Sequence, residues 1–131
     1  MVILIDRGHL DGSAYVSRDE WQALMADLNM NLVSLRDNRY DAVLHLVTAA
    51  DGAEAFYGTD NVARYEDTSQ AVEKDKRLRE AYMGHRKWCM VDNSFPSFDA
   101  KMKYCISRVH NILGRQGGTA FYKKYLLNKS S

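Results

Sequence analysis

The chain has 131 residues, 46% hydrophobic and 27% charged, which is enough for one globular domain with an ordinary core. A formal net charge of +1 argues against a dedicated nucleic-acid binder, and two cysteines are too few for a disulfide framework. No apolar run reaches the length of a membrane span, and no basic segment leads into an apolar one as in a secretory signal, so the sequence reads as cytoplasmic.

Val2-Ile3-Leu4-Ile5 opens the chain. Four consecutive apolar residues, three of them β-branched, predict a short strand buried on both faces, as in a parallel sheet. The run stops abruptly at Asp6-Arg7-Gly8. Ligands of open α/β sheets bind just outside the carboxyl ends of the strands. A carboxylate there can hold Mg²⁺ through a water or take a proton from a nucleophile. A neighbouring guanidinium grips a phosphate with two donors. Asp after a strand is also a common turn residue, so the local pattern alone leaves both roles open.

Ser17-Arg18-Asp19-Glu20 has the form of a capping box, and Trp21, Leu24, Met25 and Leu28 follow on one helical face. A helix is expected over 18–29. Residues 35–39 read as a charged connector. Tyr40 to Val47 reads as a second, nearly continuous apolar strand, which ends in Thr48-Ala49-Ala50-Asp51-Gly52. A short helical turn over 53–57 and a polar excursion over 58–68, with Asn61 and Arg64, come next. Gln70 to Met83 is charge-rich, with Glu73/Arg77 and Asp75/Arg79 as i,i+4 pairs in the favourable order. Its thin apolar face of Ala71, Leu78, Ala81 and Tyr82 predicts a helix largely in solvent, ended by Gly84. Trp88 to Asp92 is a third apolar strand, followed by Asn93 and Ser94. A helix starting at Pro96 carries Phe98, Met102, Cys105, Ile106, Val109, Ile112 and Leu113 as a stripe and ends at Gly114. Residues 114–119 read as a linker. The tail 120–131 is basic and aromatic, with Lys123-Lys124-Tyr125.

Strand–helix alternation of this kind specifies an α/β fold with a parallel sheet. All three strands lead into polar loops: Asp6/Arg7/Asp11, Thr48/Asp51 and Asp92/Asn93/Ser94. In a three-stranded parallel sheet these loops would share one edge and one crevice. Phosphoryl transfer needs such parts, together with a phosphate cradle. The G-x-x-x-x-G-K-[ST] loop is absent. Other chemistries find less support. The four histidines lack metal-ligand spacing, and His45 reads as a hydrogen-bonded core residue. Gly12-Ser13 lacks the second glycine of a nucleophile elbow, and Cys89 lies within a strand.

The stretches 6–15, 36–54, 78–85 and 91–94 together resemble the AAA-type P-loop ATPase domain of the NadR and TRPL-translocation-defect group, the latter branch especially. The likeness covers nearly all of residues 2–113, and the tail is similar to the entry into a CYTH-type triphosphate-binding domain. The resemblance implies a three-layer, nucleotide-kinase-like P-loop fold that uses Mg²⁺ with ATP or GTP. Asp6 would serve Mg²⁺ or act as base, Arg7 would contact a phosphate, and Arg64 would be a lid arginine over the γ-phosphate. The Asp92–Ser94 loop, with Asp92 and Asn93, would lie near the nucleotide base; Asp11 and Asp51, from the loops converging on the same edge, would line the nucleotide or substrate site. Because the family's phosphate-binding strand and loop are missing, the chain reads as a C-terminal portion, incomplete alone. The alternative is a non-catalytic interaction module. It would use an open sheet edge to bind a protein, or the basic tail to touch an acidic lipid surface.

Overall fold

In the computed structural model, which describes residues 2–52 and 68–114, the sheet consists of two strands. Val43–Leu46 (β1) and Trp88–Val91 (β2) run parallel, in the register Val43↔Trp88 to Leu46↔Val91. Backbone bonds extend the ladder at both ends: Val43 N–H donates to the Lys87 carbonyl and Val47 N–H to the Val91 carbonyl, each at 3.0 Å. Parallel strands need a crossover between them, and helix α2 (Thr68–Tyr82) lies in that crossover. The molecule is thus a mixed α/β protein.

The strand expected over Val2–Ile5 does not form. Those residues make no ladder, and their side chains stand 47–79% exposed. A strand buried on both faces needs partners for its backbone groups as well as apolar side chains. Among the described residues none is paired with this segment, so the expected three-stranded sheet is a two-stranded one.

The chain divides into two compact units, residues 1–93 and 94–131. The core of the first is Leu10, Leu35 and Tyr82, with Trp21, Met25, Tyr40, Val43 and Trp88 packed against it. Leu10 and Val91 are its most completely buried large side chains. Helix α1 (Arg18–Asp27) begins as the sequence dictates. Glu20 N–H donates to Ser17 Oγ at 3.2 Å, and Ser17 N–H donates to Glu20 Oε2 at 2.8 Å. A side-chain hydrogen bond from Ser17 first, and then its backbone N–H, hold the Glu20 carboxyl below its ordinary pKa. Trp21 and Met25 reach the core, but Leu24 and Leu28 stay in solvent, so half of the expected stripe is unused. The helix stops at Asp27, and Asn29 turns the chain with a positive φ of 51°.

Residues read as a connector instead wind into a π-helical turn, Val33–Asp37, which buries Leu35. Arg36 leaves this turn to close α2, donating from Nη1 to the Met83 carbonyl at 2.9 Å. It also grips Asp37 through two bonds of 2.7 and 3.2 Å, which hold the Asp37 carboxyl below its usual range. Gly84, at φ +101°, supplies the left-handed residue after the helix, as expected.

In the second unit, α3 (Phe98–Ile112) starts two residues beyond Pro96, at an N-cap Ser97 whose Oγ accepts from Ala100 N–H at 3.1 Å. Gly114, at φ +65°, follows its C-cap. The expected apolar stripe is mostly half-buried, and Phe98 is 74% exposed. The most buried residue of the helix is Lys101.

Candidate functional site

Residues 6–16 form a loop that other elements hold almost atom by atom. Its own backbone folds first: Asp11 N–H donates to the Gly8 carbonyl (3.1 Å), Ser13 N–H to Leu10 (3.0 Å) and Tyr15 N–H to Gly12 (3.1 Å). The middle pieces make one 3₁₀ turn, Asp11–Ala14. Two tyrosines then fix it from outside. The Tyr82 hydroxyl accepts from Leu10 N–H at 3.1 Å and donates to Asp11 Oδ1 at 2.7 Å. The Tyr40 hydroxyl accepts from His9 N–H at 2.8 Å and lies 3.0 Å from His9 Nδ1. Gly8 sits between the two hydroxyls, where a Cβ would collide with Tyr82. Further along, Arg77 Nη2 donates to the carbonyls of Ser13, at 2.9 Å, and Val16. Lys74 lies over the Tyr15 ring, 4.8 Å from its centre.

This frame presents Asp6 and Arg7 to solvent. Both are exposed, the Arg7 side chain by 64%. Arg7 holds a φ of +74°, unusual for a residue with a long side chain. Its Nη1 lies 3.6 Å from Asp11 Oδ2. Asp11 therefore has one oxygen on Tyr82 and the other facing Arg7, which makes it an anchor of the loop. Burial, and next the Asp11 carboxylate, push the Tyr82 phenol well above its ordinary pKa, so it remains a neutral donor.

A second polar cluster closes the exit of β1. Thr48 N–H donates to Asp75 Oδ1 at 3.0 Å. Asp75 Oδ2 lies 3.2 Å from His45 Nε2 and 3.7 Å from Arg79 Nη2. Asn93 Nδ2 donates to the carbonyls of Thr48 (2.8 Å) and Asp51 (2.6 Å), and Asp51 N–H closes a turn onto Thr48 at 3.0 Å. Gly52, at φ +83°, lets the chain leave that turn. His45 is buried and hydrogen-bonded, stacked near Trp88, as its position in a strand predicts.

The structure thus brings Thr48, Asp51 and Asn93 together, with Asp92 exposed at the end of β2. It does not bring the Asp6–Asp11 loop to them. That loop is bonded to Tyr40, which precedes β1, and to Tyr82 at the last turn of α2. Asp75 is seven residues earlier on the same helix, about 10 Å along its axis. Residues 2–5 do not enter the sheet, so the sheet itself does not align the three loops along one edge. Arg64, Asn61 and the turn over 53–57 lie outside the described residues, as do the linker beyond Gly114 and the tail.

Sequence reasoning missed Tyr40, Arg77 and Asp75 as parts of these clusters. Arg77 was expected to pair with Glu73, and it binds carbonyls instead. Asp75 was expected as a solvated partner of Arg79; that pair exists, but Asp75 is buried and also caps β1. Tyr82 was read only as an apolar side chain. The hydroxyl bonds that give it and Tyr40 their roles span 72 and 31 residues, beyond any local pattern.

Among the described residues no group of three or more His, Cys, Asp or Glu side chains is placed to hold a metal ion. Mg²⁺ commonly takes one or two carboxylates, substrate phosphates and water. One exposed carboxylate, Asp6, is compatible with that mode and with no all-protein cage. No helix among the described residues is long and apolar enough to cross a membrane. A family model described as an AAA domain matches residues 1–98. No curated protein and no solved structure matches the chain.

Proposed function

The chain belongs to the AAA domain family, and from that premise we propose that it contributes to binding a nucleoside triphosphate, ATP or GTP, with Asp6 and Arg7 facing the phosphates. Within the family, the stretches 6–15 and 36–54 favour the NadR and TRPL-translocation-defect branch. The observation that carries the reading is the exposed Asp6–Arg7 pair on a loop whose next residues are fixed by Tyr40, Tyr82 and Arg77. A guanidinium held ready on an ordered loop binds phosphate without first losing its backbone freedom. The positive φ at Arg7 fits such a site, since unusual backbone conformations cluster where ligands are clamped. Bound Mg²⁺ would screen phosphate charge beside Asp6. The sequence has no G-x-x-x-x-G-K-[ST] loop, so these residues supply the carboxylate–guanidinium side of the site.

The test is Mg²⁺-dependent binding of fluorescent ATP and GTP analogues to the 131-residue chain. Arg7→Ala is expected to weaken binding by about 2 kcal/mol, roughly 30-fold, the worth of one hydrogen-bonded charge. Asp6→Ala is expected to abolish the Mg²⁺ dependence. Nucleotide binding that Asp6→Ala and Arg7→Ala both leave undiminished overturns the proposal.

A second reading rests on the exposed Val2–Ile5 run, which suits an interaction module that pairs with a strand of another protein. Sedimentation that shows a monomer at all concentrations, with no dye binding to apolar surface, counts against it.

A further inference from the structure

We propose that the hydroxyl groups of Tyr82 and Tyr40 are positioning groups for the phosphate site. They set the backbone of residues 8–11 and through it the aim of Asp6 and Arg7. This inference rests on the nucleotide reading above and adds two residues to it that touch no ligand themselves.

The geometry is specific to the hydroxyls. Two successive backbone N–H groups, His9 and Leu10, each donate to a different tyrosine oxygen, at 2.8 and 3.1 Å. The loop contributes no other acceptor to them. Tyr82 returns its own proton to Asp11 at 2.7 Å, and Asp11 faces Arg7 across 3.6 Å. A continuous line of polar contacts therefore runs from Leu10 N–H through the Tyr82 hydroxyl and the Asp11 carboxylate to the Arg7 guanidinium. The two tyrosine rings meet edge to face, with centres 6.3 Å apart, so each steadies the other. Gly8 is the only residue type that lets the chain pass between them. The ring of Tyr82 belongs to the core with Leu10 and Leu35, while its oxygen belongs to the loop. Phenylalanine keeps the first role and removes the second.

The full chain tests this as the variants Tyr82→Phe and Tyr40→Phe, alone and combined with Arg7→Ala. The readouts are affinity for a fluorescent ATP analogue with Mg²⁺, thermal unfolding, and amide hydrogen exchange at His9 and Leu10. Tyr82→Phe is expected to weaken binding about tenfold, near the upper worth of one lost hydrogen bond. Leu10 exchange is expected to accelerate, with unfolding still cooperative. Tyr40→Phe is expected to accelerate His9 exchange and weaken binding several-fold. In the Arg7→Ala background the Tyr82→Phe loss is expected to shrink to what the hydroxyl contributes through Asp6. Equal affinity of Tyr82→Phe and the unaltered chain overturns the inference. A full, additive loss in the Arg7→Ala background overturns it too, because that marks a general structural effect. If the unaltered chain alone binds no nucleotide, the exchange readout decides. Unchanged Leu10 exchange in Tyr82→Phe then overturns the clamp separately.

Discussion

Val2–Ile5 and Val43–Leu46 are nearly interchangeable as sequence, and they end in opposite states. Each is a four-residue apolar stretch, His45 apart, followed by a polar loop. Residues 43–46 pair with β2, bury His45 and have their exit closed by Asp75 and Asn93. Residues 2–5 pair with nothing described, and Leu4 is 79% exposed. An apolar run states what a segment could bury. Whether it does so depends on a ladder partner that lies elsewhere in the chain.

The strongest way to break that comparison is to truncate on both sides of Asp6. Leu10, just past the bare run, is 1% exposed at the centre of the core. Leu10→Ala is expected to destabilise the protein by about 2–5 kcal/mol, read from urea unfolding. Leu4→Ala is expected to shift stability by less than about 0.5 kcal/mol. Equal losses would mean that residues 2–5 are buried in solution and that the two runs behave alike.

Gly8→Ala sharpens the comparison at the boundary between the bare run and the anchored loop. The added methyl meets the Tyr82 hydroxyl, and displacing it is expected to cost about 1–3 kcal/mol in the same measurement. A neutral result would show that the loop yields as readily as the run before it.

A smaller loss than that at Gly8 concerns α1, whose start depends on local bonds and on no distant strand. Ser17→Ala is expected to cost about 1 kcal/mol. The Glu20 carboxyl is held below its ordinary pKa in the folded chain, so its contribution is present above the unfolded value of about 4. That contribution is lost as pH falls through the folded value. The Ser17→Ala variant is therefore expected to lose stability less steeply than the unaltered chain between neutral and acid pH, measured by thermal unfolding.

Such local devices were legible in the sequence. The capping box, the glycine after each of α2 and α3, and strands β1 and β2 all came from patterns a few residues long. The Asp6–Arg7 loop was legible as a place of interest, but its neighbours were not. Tyr82 meets Leu10 across 72 residues, and no periodicity carries that information. Asp75 was hidden differently. In a helix with a charge at almost every turn, a buried carboxylate looks the same as a solvated one until the backbone it caps is in view. The strand over residues 2–5 was over-read because hydrophobicity was legible and the missing partner was not.

The parallel register of β1 and β2 also has a consequence in time. Groups that close the sheet, such as Thr48 and Asn93, are 45 residues apart in the chain. Bringing them together must precede any gain from the ladder, and that search is slow compared with winding a helix. α2 is local, holds an i,i+4 ion pair between Asp75 and Arg79, and carries Asp75, Arg77 and Tyr82 at fixed intervals. It can form within microseconds of the start of folding, on the order of helix–coil relaxation. That helix carries acceptors and donors for both loops. Truncating β2 is thus expected to slow folding, and removing the tyrosine hydroxyls to speed unfolding.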